Sequence, residues 1–136
     1  MKIITHSEKE TYNFAKDFSN KLNGGEVLLL IGDLGSGKTA FTKGLAKGLK
    51  IKNTITSPTF VLMKVYSGKK QLIHIDAYRL NSGQDLEAIG ALDYFGDPEW
   101  ITVIEWAERV KDVWPKNKVV IEFKVKSDKE REIKIS

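Results

Sequence analysis

Val27-Leu28-Leu29-Leu30-Ile31, followed by Gly32-Asp33-Leu34-Gly35-Ser36-Gly37-Lys38-Thr39, is the stretch that decides the fold. An unbroken apolar run bounded by glycines predicts a short strand buried on both faces. The next eight residues match G-x-x-x-x-G-K-[ST]. Beyond them Phe41, Leu45 and Leu49 recur at helical spacing, with Lys43, Lys47 and Lys50 on the outer side. Strand, glycine loop and helix in this order are the context a phosphate-binding loop requires. Backbone N–H groups at a helix N-terminus can surround phosphates only where side chains do not block the approach, and Gly35 and Gly37 supply that access. Lys38 brings a compact cation to the β- and γ-phosphates of a nucleotide, and the Thr39 hydroxyl is the natural Mg²⁺ ligand.

Such a loop needs a carboxylate at the end of a neighbouring strand to hold the metal, directly or through water. Leu72-Ile73-His74-Ile75-Asp76 ends in one, and Val103-Ile104-Glu105 ends in another. Asp76 and Glu105 are therefore the candidate metal-binding and catalytic acids. His74 alternates with Asp76, so both project to the same face of their strand, although a histidine inside an apolar strand is more often structural. Trp100, Trp106 and Trp114 have no spacing that suggests a base-stacking platform, and packing is the expectation for them.

The remainder predicts a single α/β domain over residues 1–136, with a mixed sheet flanked by helices. Ser7-Glu8-Lys9-Glu10 has the spacing of a capping box. Phe14, Ala15, Phe18 and Leu22 then mark a helix that stops at Asn23-Gly24-Gly25. Phe60–Tyr66 and Gln71–Ala77 read as a hairpin turning at Ser67-Gly68-Lys69-Lys70, and a helix is expected over Asp85–Leu92 with Asn81 or Ser82 near its start. Thr102–Glu105 reads as a buried strand. Val119–Lys126 and Glu130–Ile135 read as a C-terminal antiparallel pair joined at Ser127-Asp128-Lys129.

The 136 residues are 41% hydrophobic and 29% charged, with 3 Pro and 11 Gly, the balance of one globular domain. No apolar run reaches the roughly 18 residues that cross a bilayer, and the first residues turn polar early, so neither a span nor a signal peptide is expected. The absence of cysteine fits a reducing cytoplasm. The net charge is +4, and residues 116–136 carry 7 basic and 4 acidic side chains, which reads as a solvated lysine-rich surface because no block of like charge occurs.

Taken together, GDLGSGKT, Ala40-Phe41-Thr42-Lys43-Gly44-Leu45, Ser57-Pro58-Thr59-Phe60, His74-Ile75-Asp76-Ala77-Tyr78-Arg79-Leu80 and Ile104-Glu105-Trp106-Ala107-Glu108-Arg109 resemble the TsaE (YjeE) family in order and spacing. The resemblance runs from about Ser7 to the C-terminus. It implies a bacterial, cytoplasmic P-loop ATPase that uses ATP and Mg²⁺ and is needed for threonylcarbamoylation of adenosine 37 (t6A) in tRNAs reading ANN codons. It also implies action with TsaB and TsaD, the latter performing the transfer to tRNA, which this chain would meet indirectly. It places phosphate contacts along Asp33, Leu34, Gly35, Ser36, Gly37, Lys38 and Thr39, the Mg²⁺ environment at Thr39 and Glu105, and a role in hydrolysis at Asp76. It implies a switch-like loop over Ser57–Phe60, and Glu8 and Arg131 near the adenine. Ala77 stands where many relatives carry Leu, which touches none of this chemistry.

Two other functions compete. A small-molecule kinase shares the loop, but such enzymes use arginine clamps or a lid, and this chain has only Arg79, Arg109 and Arg131. A nucleotide-gated binding subunit with negligible catalysis is the other. A GTPase is disfavoured because Asn117-Lys118 continues as Val119-Val120 rather than as a guanine-reading motif.

Overall fold

The structure is a computed structural model that describes residues 1–56 and 62–136. In chain order its elements are β1 (Lys2–Thr5), α1 (Glu8–Phe18), β2 (Val27–Ile31), α2 (Lys38–Gly48), β3 (Met63–Ser67), β4 (Gln71–Asp76), α3 (Gln84–Ala88), β5 (Trp100–Glu105), β6 (Val119–Val125) and β7 (Arg131–Ile135). Short 3-10 turns cover Ser19–Lys21, Ala91–Tyr94 and Ala107–Val113.

Among the described residues the seven strands form one sheet in the order β1-β7-β6-β2-β5-β4-β3. The four central strands β6, β2, β5 and β4 are parallel, while β3 and the β6-β7-β1 side add antiparallel pairings. This is the expected α/β class, a mixed sheet flanked by helices with an antiparallel pair at its C-terminus. Among the described residues no helix is long and apolar enough to cross a membrane.

β2 is continuously apolar because it contributes to two cores. Leu28 and Leu30 pack with Val103, Ile121 and Phe123 against Ala15, Phe18, Phe41 and Leu45 of α1 and α2. Val27 and Leu29 face the opposite way, with Ile73, Ile75 and Ile104, onto Leu86, Ala91, Val110 and Val113. Phe41 meets Phe123 edge-on at 5.5 Å between ring centroids, fixing α2 to the sheet below the glycine loop.

Helix α1 begins as predicted, with Ser7 Oγ accepting from the Glu10 N–H at 3.0 Å. The reciprocal half differs, because Glu10 accepts from the His6 backbone N–H rather than from that of Ser7, and this bond holds the Glu10 carboxyl below its ordinary pKa. The helices approach so closely that a Cβ at Gly44 would lie 2.1 Å from the Tyr12 carbonyl oxygen, and one at Gly48 would lie 1.8 Å from Ser19 Oγ. α2 therefore packs on α1 through its glycines.

Three expectations change. The helix expected over Asp85–Leu92 is divided, because Gly90 at φ 77° ends α3 in the left-handed conformation and a separate 3-10 turn follows. The first helix gives way after Phe18 to the 3-10 turn Ser19–Lys21. The hairpin strand expected over Phe60–Tyr66 is described as Met63–Ser67, and its first residues, like the Ser57–Phe60 loop, lie outside the described residues. β1 was absent from the sequence reading. It is a four-residue edge strand whose register partner is β7, at the other end of the chain.

Candidate functional site

The loop between β2 and α2 opens at the C-terminal edge of the parallel strands, where ligands of open α/β sheets bind. Gly35 (φ 77°) and Gly37 (φ 109°) both adopt the left-handed conformation, so their identity follows from backbone geometry. A Cβ at Gly35 would meet nothing within 4 Å, and one at Gly37 would make only ordinary contacts. Crowding by the protein's own atoms is thus not what selects them.

Helix α2 begins with features that suit an anion. Its N-cap, Gly37, supplies no side-chain capping bond, and the first turn contains no acidic residue but does contain Lys38. The leading N–H groups of a helix lack intrahelical partners, and the positive end of its dipole disfavours a cation. Lys38 is nonetheless buried there. Its Nζ donates to the carbonyls of Gly32 and Asp33 and sits 3.8 Å above the Trp106 ring centroid. Burial lowers the Lys38 pKa below that of an ordinary lysine, opposed by the nearby carboxylates of Glu105, Glu108, Asp33 and Asp76. A phosphate group would satisfy both the uncapped turn and the desolvated ammonium.

The two acids come together as expected. β4 and β5 are parallel neighbours, and Asp76 is the register partner of Glu105, so their carboxylates end adjacent strands on one face. Asp76 Oδ1 accepts from the Tyr78 N–H at 2.9 Å, which turns the chain away from the sheet. Glu105 is only 4% exposed rather than at a watery strand end, and its Oε2 lies 2.5 Å from Nε2 of the fully buried His74. His74 thus reaches the site through Glu105. Its Nδ1 has no partner among the described residues.

A cleft of about 780 Å³ gathers these groups, within the range of small-molecule sites. Its walls include Leu34–Thr39, Asp76, Glu105, Glu8 and Arg131, all predicted. Asp33 is not in the wall, and its carbonyl instead holds Lys38. Arg131 bonds through Nε to the Gly35 carbonyl at 3.1 Å and through Nη1 to the carbonyls of Ser127, Asp128 and Glu130, tying the β6–β7 turn to the glycine loop. Among the described residues no three His, Cys, Asp or Glu side chains form a self-sufficient metal cluster. Thr39, Asp76 and Glu105 suit Mg²⁺, which commonly takes one or two carboxylates and completes its shell with phosphates and water.

Trp106 packs against the second core as expected, but its ring also has a place at the site that the sequence expectation does not include. This residue has φ 58° directly after β5, which swings its ring into the cleft wall over Lys38 and within 4.9 Å of the Tyr78 ring. Arg109 lies over both rings. The only sequence signal was the position of Trp106, immediately after Glu105. Trp100 and Trp114, like Trp106, pack against the second core as expected.

The profile of the TsaE family, described as threonylcarbamoyl adenosine biosynthesis protein TsaE, matches residues 5–133. A protein of Treponema pallidum, named tRNA threonylcarbamoyladenosine biosynthesis protein TsaE, is 42% identical over 137 residues, covering 100% of both chains. The protein of the same name from Bacillus subtilis is 39% identical over 98% of this chain and 83% of its own. The crystal structure of Bacillus subtilis YdiB superposes with a TM-score of 0.79 at 36% identity, over 98% of this chain and 82% of that one.

Proposed function

The chain belongs to the TsaE family, and on that premise we propose that it functions in tRNA threonylcarbamoyladenosine biosynthesis as the subunit that binds and hydrolyses ATP. The observation that carries this reading is Lys38. A buried, partly desolvated cation on an uncapped helix N-terminus, facing the ends of two acidic strands, is an arrangement that a nucleotide's phosphates complete.

In this reading the N–H groups of the loop from Asp33 to Thr39 and the Lys38 ammonium hold the β- and γ-phosphates. The Thr39 hydroxyl, Glu105 and Asp76 would hold Mg²⁺, which neutralises charge on the transferring phosphoryl group. Asp76 and Glu105 are the groups available to orient a water and accept its proton. His74 fixes the rotamer of Glu105 through their hydrogen bond, so this carboxylate is positioned before substrate arrives. Glu8 and Arg131, which also line the cleft, are the groups proposed nearest the adenine.

The proposed partners are TsaB and TsaD. A kinase is disfavoured by Arg131, whose bonds to four backbone carbonyls commit it to the loop rather than to a second substrate. Phosphate release from ATP by the full chain, alone and with TsaB and TsaD, tests the reading. Release that requires both Mg²⁺ and Lys38 supports it, and absence of release under every condition leaves only the nucleotide-gated binding subunit.

A further inference from the structure

We propose that a second groove, on the outer surface of the α1–α2 layer, binds the phosphate backbone of RNA. The groove measures about 620 Å³ and is lined by Lys16 of α1, Lys43 and Lys47 of α2, Lys50 and Lys52 of the following segment, and Tyr12. All five lysines are exposed, and no carboxylate lines the groove. Among the described residues none of the five takes part in a salt bridge. Lys43 and Lys47 are a like-charged i, i+4 pair, which destabilises a helix and contributes nothing to the core beneath. Folding therefore does not explain the cluster, and a polyanion does.

The spacing favours a strand of phosphates. Lys43 and Lys47 lie on one face of α2, about 6 Å apart along its axis at 1.5 Å per residue, and Lys50 follows just beyond the helix end. A nucleic-acid strand carries one charge per roughly 3.4 Å, so this helical pair spans about two phosphate intervals. The composition argues against an acidic protein. Among the described residues the groove has lysines but no arginine fork for planar carboxylates, and its apolar residues Ala46, Ile51 and Ile55 are buried rather than presented as an apolar centre for a protein interface. The half-buried Tyr12 also lines the groove beside the charges. The groove also shares its two helices with the nucleotide cleft, which takes Ser7, Glu8 and Thr11 from the start of α1 and Lys38–Ala40 from the start of α2. That the RNA is tRNA rests on the pathway stated above.

The test is fluorescence anisotropy of a labelled, unmodified tRNA transcript with the full chain, across a series of salt concentrations. The variant Lys43→Gln/Lys47→Gln is compared with Lys111→Gln/Lys124→Gln, which removes the same charge on the other side of the sheet. Circular dichroism and ATP affinity are measured on each protein. The groove variant is expected to bind RNA on the order of tenfold more weakly and to flatten the log–log salt slope by about 1.4 to 1.8, with ATP affinity retained. The control should change affinity by less than about twofold. Equal losses in both variants, no binding by the unaltered chain, or displacement of the RNA by polyglutamate as effectively as by unlabelled tRNA would overturn the proposal. Because ATP affinity is read separately, failure here is distinguishable from failure of the nucleotide site.

Discussion

His74 Nε2 stands 2.5 Å from Glu105 Oε2, and the two side chains lie on neighbouring parallel strands, both buried. A buried carboxylate is tolerated only when hydrogen-bonded, so His74 supports Glu105 in both stability and orientation. His74→Ala is predicted to lower unfolding free energy by about 1–3 kcal/mol and to reduce ATP hydrolysis. His74→Gln, which can still donate to the carboxylate, should recover part of both. Denaturant unfolding and phosphate release check this, and full activity in His74→Ala would show that Glu105 needs no support.

Asp76→Asn and Glu105→Gln are predicted to reduce hydrolysis by at least about a hundredfold while changing ATP affinity far less, because the loop and Lys38 keep their phosphate contacts. Asn at position 76 retains an oxygen able to accept from the Tyr78 N–H, so the turn after β4 should survive. Single-turnover rates and equilibrium binding separate the two quantities. Normal turnover in both amides would place the catalytic carboxylate elsewhere.

Lys38→Met should abolish tight ATP binding without unfolding the protein, because it removes a desolvated charge and leaves an apolar stem of similar length. The pH dependence has a definite sign. Burial lowers the folded-state pKa of Lys38, so the unfolded chain binds the proton more strongly, and this group's contribution to stability rises with pH through the window ending near its ordinary 10.5. The stability of the unaltered chain relative to Lys38→Met should therefore increase with pH as it approaches that value. Parallel curves for the two proteins would show that the ammonium is not desolvated.

Trp106, 3.8 Å above the Lys38 ammonium, should report nucleotide directly. Drawing Lys38 toward phosphates removes a cation from the ring face, so tryptophan emission is predicted to change on adding ATP and to stop responding in Trp106→Phe. A fluorescence titration decides it, and an unchanged response in that variant would assign the signal to Trp100 or Trp114.

Gly44→Ala improves helix propensity by about 1 kcal/mol yet is predicted to destabilise the protein by about 1–3 kcal/mol, because the new methyl would lie 2.1 Å from the Tyr12 carbonyl oxygen. Thermal unfolding checks the sign.

What was legible in the sequence was local. β2, the loop and α2 are contiguous, and the continuous apolar run, the glycines and the helical period each signal their own geometry. Asp76 and Glu105 were found because each ends an apolar run. β1 was not, since four residues of an edge strand carry little pattern and its pairing with β7 spans nearly the whole chain. The His74–Glu105 bond depends on the register between β4 and β5, which no local pattern encodes. The packing of Trp106 was legible, but its place in the cleft was not, because it follows from a single left-handed residue, a conformation rare for a bulky side chain. The lysines of α2 were recognised as the outer face of a helix, but their convergence with Lys16 and Lys52 required the packing of α1 on α2.

The most direct test of the account is phosphate release from ATP·Mg²⁺ by the full chain reconstituted with TsaB, TsaD and tRNA, followed together with t6A formation, for the unaltered protein and for Glu105→Gln. Both signals are expected to require this chain, and Glu105→Gln is expected to bind ATP yet lose phosphate release by at least about a hundredfold, with t6A formation falling alongside. Phosphate release undiminished in Glu105→Gln, or t6A formed at the full rate without this chain, would contradict the account.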